Sequence, residues 1–284
     1  MSILIISILL ISLNFSPCKL LSSPGDTITI ASWNLKNFGQ TKLNDPDRID
    51  IIVDVIKKFD IIAIQEVQDV SLRLPGALLE KINSDGVNYN YVASNRVGSS
   101  SRKEQYLIYY NTDKIEFVDD TDGHHFDYSD NLSREPYYAM FRAGNFDFYL
   151  FTIHTDPDEV EDEIPELGLA YLELQYKTQD EDDIILLGDF NAKAPQSSFG
   201  SYTTMTSMTE INNIHFCILE ETNTRGGKSY DNILFQANYT SEYADSSGVY
   251  TFWEDYGLSE DEGFSISDHL LVYSLFLIPN SDDD

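Results

Sequence analysis

Cysteine is almost missing from this chain: Cys18 and Cys217 are the only two in 284 residues. Cys18 lies in an N-terminal segment that reads as removable, so the mature chain would carry one thiol and no intramolecular disulfide. Cys217, in the apolar stretch NNIHFCILE, is expected to be a buried, inert thiol. Basic residues are also scarce, 18 Lys and Arg against 48 Asp and Glu, for a net charge of -30. That balance excludes a broadly basic nucleic-acid-binding body. Its simplest reading is a soluble, self-repelling surface. A salt-adapted composition is a second reading, against which the heavy use of Ile and the sixteen Phe argue. A polyanionic substrate would be repelled at long range and would need divalent cations or a local basic patch.

The chain also lacks internal repeats, a Pro- or Gly-rich linker and any low-complexity block beyond its acidic end, SDDD. One domain over 26–279 with an acidic tail at 280–284 is therefore expected. The apolar stretch from Ile3 to Phe15 is too short for a comfortable bilayer crossing and has the length of a signal-peptide core, although no basic residue precedes it. Residues 1–22 are expected to be a signal peptide with an unplaced cut site, and the chain to be secreted. A retained anchor or a lipid on Cys18 are the alternatives. The expected product is a monomer with no stable membrane association.

Apolar material is plentiful, at 42% hydrophobic and 13% aromatic residues, enough for a full core. Strand-like runs fall at 27–33, 61–65, 105–110, 115–118, 137–142, 146–153, 184–188, 230–236 and 269–277. Helical patterns fall at 45–59, 71–82 and 160–178. Strands alternating with helices, then a β-rich second half, predict an α/β (α+β) sandwich.

Lone polar residues abut the ends of apolar runs. Asn34, Glu66, His154, Asp189 and Asn191 follow their strands; Asp231 and the pair Asp268–His269 precede theirs. If the last two of these strands run antiparallel to the others in a mixed sheet, all these groups meet at one edge. A carboxylate such as Glu66, stranded after IIAIQ, suits Mg²⁺, Mn²⁺ or Ca²⁺, which take oxygen ligands; Asp268 is similar. His154 and His269 suit acid–base work, each needing an orienting carboxylate, for which Glu104 and Asp231 stand at strand starts. Asn34, Asn191 and Arg134 could hold phosphate oxygens; an ion pair with Glu135 is the plainer reading of Arg134. The acidic run 156–166 reads as a solvated loop and helix start, with a cation site as the alternative. The acid-rich loop 119–130 reads the same way. NLS at Asn131 and NYT at Asn238 fit the N-glycosylation pattern.

The ordered segments WNLKNFGQTK, IIAIQEVQD, KEQYLIYY, SREP, TIHTDP, LLGDFNA, SYDNI and ISDHLLV resemble the endonuclease/exonuclease/phosphatase superfamily over roughly 27–278. The resemblance is closest to the deoxyribonuclease I branch, because FGQTK and SREP separate it from apurinic endonucleases and inositol phosphatases. It implies a four-layer sandwich of two packed mixed β-sheets flanked by helices. It also implies Mg²⁺- (or Mn²⁺-) and Ca²⁺-assisted hydrolysis of DNA by water. Carried onto matching positions, Glu104–His154 and Asp231–His269 would be two carboxylate–histidine pairs. Asn34, Arg134 and Asn191 would contact the scissile phosphate, and Glu66, Asp189 and Asp268 would complete the metal shell. Lys36, Gln68 and Arg102 would face the DNA. Gln68 stands where the mammalian enzymes carry Arg, and Arg102 where they carry Tyr, which leaves the geometry of groove contact open. The family's disulfide cysteines are absent.

The reading that follows is a secreted, metal-dependent DNA endonuclease with little sequence specificity. The rivals are a phosphodiesterase on a lipid head group, for which FWEDYG (252–257) could dock a membrane, and a non-catalytic binding relative.

Overall fold

The computed structural model describes residues 27–98, 103–124, 131–178, 181–200 and 203–281. The expected signal peptide, Cys18 and Arg102 lie outside them. The strands are β1 (Thr27–Phe38), β2 (Ile61–Val67), β3 (Tyr89–Ala93), β4 (Gln105–Asn111), β5 (Glu116–Phe117), β6 (Gly123–His124), β7 (Tyr137–Ala143) and β8 (Phe146–His154). They continue with β9 (Ile184–Asp189), β10 (Ala192–Lys193), β11 (Thr203–Thr204), β12 (Ile214–Phe216), β13 (Asp231–Gln236), β14 (Tyr243–Tyr250) and β15 (Leu271–Leu277). The helices are α1 (Gln40–Leu43), α2 (Pro46–Ile56), α3 (Leu74–Ile82), α4 (Val160–Lys177), α5 (Phe252–Asp255) and α6 (Glu260–Ile266).

Two large sheets share one plan. The first has the order β14-β15-β1-β2-β4-β3 and the second β12-β13-β9-β8-β7-β5, with β6 also on β7. In each, the central pair is parallel, β1 with β2 and β8 with β9, and the pairs flanking it are antiparallel. Of these central strands β2 and β9 open on unbroken apolar runs, IIAI and IILL, as strands covered on both faces do.

Period-two alternation sorts the side chains of β1. Ile28 and Ile30 enter the layer between the sheets, where Ala63 and Ile108 meet Phe148, Leu150, Leu187 and Ile233. Trp33 and Leu35 face outward, onto Ile52, Val55 and Ile56 of α2 and Leu78 of α3. On the far side Phe151, Ile153 and Leu186 pack against Ile164, Leu167 and Tyr171 of α4. The layers run helix, sheet, sheet, helix, which is the four-layer sandwich that the resemblance implied. Burying each such side chain stabilises by roughly 1.5–3 kcal/mol.

Differences from the sequence reading have local causes. The helix expected at 45–59 stops at Ile56, and the one expected at 71–82 starts at Leu74, with Pro75 in its first turn where the missing N–H costs nothing. The run at 115–118 keeps only two residues as a strand, and β3, β14 and α6 were not foreseen. The sequence signal for α6 is a capping box: Ser259 Oγ accepts from Glu262 N, and the Glu262 carboxylate accepts from Ser259 N at 2.8 Å. In FWEDYG, Phe252 is fully buried with its ring 4.9 Å from Trp33, so it belongs to the core and not to a membrane-docking loop. Cys217 is a buried free thiol, its pKa pushed up to about 12 by burial. Among the described residues no helix is long and apolar enough to cross a membrane.

Candidate active site

The parallel central pairs point the C-terminal ends of β1, β2, β8 and β9 to one edge, and the antiparallel β13 and β15 start there. The convergence expected from strand direction is thus present. Three local devices complete it. Gly188 (φ +146) lets β9 lie against β8: a Cβ there would sit 2.0 Å from Ile153 O, so any side chain would push the strands apart just before Asp189. Glu66 (φ 58) takes a left-handed conformation in β2, where the register with β4 shifts between Ile64 and Val67. This bulge aims a carboxylate at the site from an otherwise apolar strand. Asn191 (φ 46) turns the chain after β9, and its N–H donates to Asp189 Oδ1 at 2.9 Å. Lys36 and Asn37 are also left-handed, so four non-glycine residues near the site hold a conformation that costs energy.

Both carboxylate–histidine pairs are formed. His154 Nδ1 lies 2.7 Å from Glu104 Oε2, and His269 Nδ1 lies 2.8 Å from Asp231 Oδ2. Each Nε2 lies 3.6 Å from the same atom, Asp189 Oδ2. All five side chains are buried. Burial works against the imidazolium form, yet the carboxylates outweigh it. The pKa of His154 is raised, chiefly by Glu104, and that of His269 is pushed up to about 10, chiefly by Asp231 and Asp189. Glu104 is lowered: burial opposes its charge, but His154 and Arg134 hold it ionised.

Asn34 links the ligand candidates, its Nδ2 donating to Glu66 Oε1 at 3.0 Å and to Asp189 Oδ2 at 2.9 Å. Both of its amide hydrogens are engaged, so it holds carboxylates here, and the expected phosphate contact requires one hydrogen to be released. Glu66 Oε2 accepts from Asn37 N at 2.7 Å. Asn191 Nδ2 donates to Thr155 O at 3.0 Å. Arg134 does not pair with Glu135: its Nε lies 3.4 Å from Glu104 Oε2, its Nη1 donates to His154 O at 3.1 Å, and Asp156 is 3.9 Å away. Lys36 Nζ grips Asp268 Oδ2 at 2.7 Å.

A cavity of about 440 Å³ opens over this arrangement, lined among others by Glu66, Gln68, Arg134, His154, Asp189 and His269. The donor set is that of a hard cation. Glu66 and Asp189 present ionisable oxygens, Asp268 Oδ1 is buried with no hydrogen-bond partner, and the one thiol among the described residues, Cys217, is packed in the core between the sheets. Asp189, Asp231 and His269 also present ligand atoms within 4.8 Å of one another. Asp231 Oδ2 and His269 Nδ1 are spent on each other, whereas Glu66 and Asp189, both held by Asn34, line the cavity with oxygens that keep further lone pairs.

Four contributors had no role in the sequence reading. Thr222 Oγ1 donates to Asp231 Oδ2 at 2.7 Å. Tyr106 OH accepts from His154 N at 3.1 Å. Glu163, in the acidic run read as solvated, is buried and accepts from Ser133 N and Asp156 N, both at 2.6 Å, bracing the loops beside Arg134 and His154. Lys42 is buried too, donating to Leu35 O at 2.7 Å, Lys36 O at 2.8 Å and Ile266 O at 2.5 Å. It ties the end of β1 to the segment carrying Asp268 and His269, and burial drops its pKa to about 8. Only Glu163, buried one turn into α4, had a sequence signal, namely its place in an acid-rich helix start.

Residues 31–281 match the model of the Endonuclease/Exonuclease/phosphatase family. The chain is 32% identical over 260 residues to deoxyribonuclease gamma of Homo sapiens, covering 86% of this chain and 84% of that protein. To deoxyribonuclease-1 of Bos taurus it is 32% identical over 263 residues, covering 87% and 92%. Among solved structures, the catalytic domain of human Nocturnin superimposes with a TM-score of 0.61 at 14% identity, covering 89% and 95% of the two chains. A mannosyl-6-phosphatase of Bacteroides thetaiotaomicron gives 0.59 at 16% identity, covering 89% and 100%. At these identities the structural likeness concerns the fold.

Proposed function

The chain belongs to the Endonuclease/Exonuclease/phosphatase family, and from that premise we propose that it is a secreted, divalent-cation-dependent endonuclease that hydrolyses DNA phosphodiester bonds with little sequence specificity. The relatives named deoxyribonuclease support a nuclease. The observation that carries the finer reading is the meeting of Glu104–His154 and Asp231–His269 on either side of Asp189 Oδ2.

In this reading water attacks the phosphorus in line with the departing 3′-oxygen. One imidazole takes the proton of the attacking water while the other gives a proton to the leaving oxygen, so charge balances and a 5′-phosphate and a 3′-hydroxyl result. Glu104 and Asp231 fix the two rings through Nδ1 and leave Nε2 facing the cavity. Arg134 and Asn191 supply donors to the phosphate oxygens as charge builds up. Glu66, Asp189 and Asp268 would hold Mg²⁺ or Mn²⁺, with Ca²⁺ supporting the fold or the site; a bound cation neutralises phosphate charge and polarises the P–O bonds. A cation also offsets the repulsion between a polyanion and a chain of net charge -30. Contacts to phosphates carry no sequence information, which accounts for low specificity.

The test is nicking of supercoiled plasmid by the mature chain with Mg²⁺ plus Ca²⁺, alongside sphingomyelin hydrolysis. Cation-dependent nicking without lipid turnover is expected. Robust cleavage in excess chelator, or lipid turnover alone, contradicts the proposal. The apolar leader motivates secretion, and the N-terminal sequence of exported protein would locate the cut.

A further inference from the structure

Beyond the expected contact residues, a cationic–aromatic stack adjoins the His269 side of the site. Arg225 Cζ lies 3.7 Å from the centroid of the Phe264 ring, and Lys36 Nζ lies 4.2 Å from it. We propose that Arg225, pinned on Phe264, is a subsite for a backbone phosphate flanking the scissile one, so that it selects nucleic-acid strands over small phosphodiesters. The inference rests on the nuclease reading and names a strand contact that this reading does not contain.

The argument starts with the backbone. Arg225 stands in the turn closed by Gly226 N donating to Asn223 O at 2.8 Å. That turn is sewn to the segment bearing His269. Thr224 N donates to Asp268 O at 2.9 Å, Thr224 Oγ1 to Ser267 O at 2.6 Å, and Leu270 N to Thr222 O at 2.6 Å; Asn223 and His269 form a β-bridge. Lys36, on the strand bearing Asn34, approaches the same ring from β1 while gripping Asp268. The guanidinium is therefore held in register with the proposed catalytic groups.

The charges support the same reading. Two cations meet one ring, each with a carboxylate partner. Their partners are Asp268 for Lys36 and Asp261 for Arg225, the latter at 3.0 Å with an Asp261 side chain that is 86% exposed. So exposed a pair is held weakly, and a phosphate, which accepts two parallel N–H bonds from a guanidinium, can displace it. The ring fixes the guanidinium plane and leaves the in-plane donors at its edge for that exchange. On a body of net charge -30, such local cations are what a polyanion can find.

The test compares the full chain with Arg225→Ala, Phe264→Ala and Asp261→Asn on a DNA duplex and on bis(p-nitrophenyl) phosphate, with binding of labelled duplex measured over a salt series. Arg225→Ala is expected to lower the ratio of kcat/KM on DNA to that on the small ester about ten-fold. It should also flatten the slope of log affinity against log salt by about 0.9, the loss of one phosphate contact. Phe264→Ala should act in the same direction, and Asp261→Asn should tighten DNA binding. The proposal is overturned if Arg225→Ala leaves the salt slope unchanged, or if DNA and the small ester lose activity equally, which would mark a structural role beside His269. If the wild-type chain binds duplex with an Arg225-dependent slope but cuts nothing, the subsite stands and the nuclease reading falls. If it neither binds nor cuts, both fall.

Discussion

The two carboxylate–histidine pairs are alike in length, 2.7 and 2.8 Å, and unlike in surroundings. The Glu104–His154 pair has a guanidinium beside it, Arg134 Nε at 3.4 Å from the same carboxylate oxygen that meets the ring. The Asp231–His269 pair has a neutral hydroxyl, Thr222, in that place, and Asp231 Oδ1 is buried with no partner. One carboxylate is shared between two cations and the other is given almost wholly to its imidazole. Against the cost of burial, Asp231 and Asp189 together push His269 up to about 10, while Arg134 opposes the rise at His154. The same two-residue device is thus electrically buffered on one side and not on the other.

The largest expected effects test whether both halves are needed at all. His154→Ala and His269→Ala should each lower kcat for plasmid nicking about 10³-fold, within the range of acid–base contributions, with far-ultraviolet circular dichroism unchanged. A variant retaining more than a tenth of the activity would remove its histidine from the proposed chemistry. Next comes the asymmetry itself. Arg134→Met should cost about 10²-fold in kcat, because it removes both a donor to the phosphate and the buffer of Glu104. Thr222→Val, which takes from Asp231 an orienting hydroxyl that also accepts from Tyr230 N and Asp231 N, should cost about 10-fold. Equal losses in the two variants would break the comparison.

A smaller effect is expected where support is structural. Glu163→Gln breaks one of two buried carboxylate contacts that brace the Arg134 side, and should lower the melting midpoint by about 2–6 °C, corresponding to about 1–2 kcal/mol. The smallest effect is one of pH, read in excess chelator so that no cation competes. A histidine whose folded pKa is raised adds stability that is complete below about 6.5 and is lost as pH rises through the folded value. The melting midpoint should therefore fall by a few degrees between pH 6.5 and about 10. His269→Gln should flatten that fall more than His154→Gln, since Arg134 opposes the charge of His154. Identical profiles for the two variants would mean that the buffer is inactive.

Much of this arrangement was legible in the chain. Asn34, Glu66, His154, Asp189 and His269 stand at the margins of apolar runs, where packing alone gives them no reason to be, and strand direction then predicts their meeting. What was not legible depends on how distant segments approach. The strand read at 61–65 leaves Glu66 just past its end, and nothing in IIAIQEV announces the left-handed turn that aims the carboxylate. Lys42 lies in QTKL, an ordinary short helix, and is buried only because carbonyls from Leu35, Lys36 and Ile266 converge on it. Glu163 reads as one acid among many and is enclosed by two loops from elsewhere. β14 (YADSSGVY) is polar and lacks the period-two apolar pattern that marks a strand, and β3 (YNYVA) alternates Tyr with Asn over too few residues to stand out.

Each histidine and its carboxylate come from opposite layers. Glu104 stands just before β4 and His269 just before β15, both on the first sheet's side, while His154 ends β8 and Asp231 begins β13, both in the second sheet. A newly made polypeptide that has assembled one sheet therefore owns half of each pair and completes neither. A molecule whose two sheets have parted likewise holds the halves of both pairs and neither pair whole.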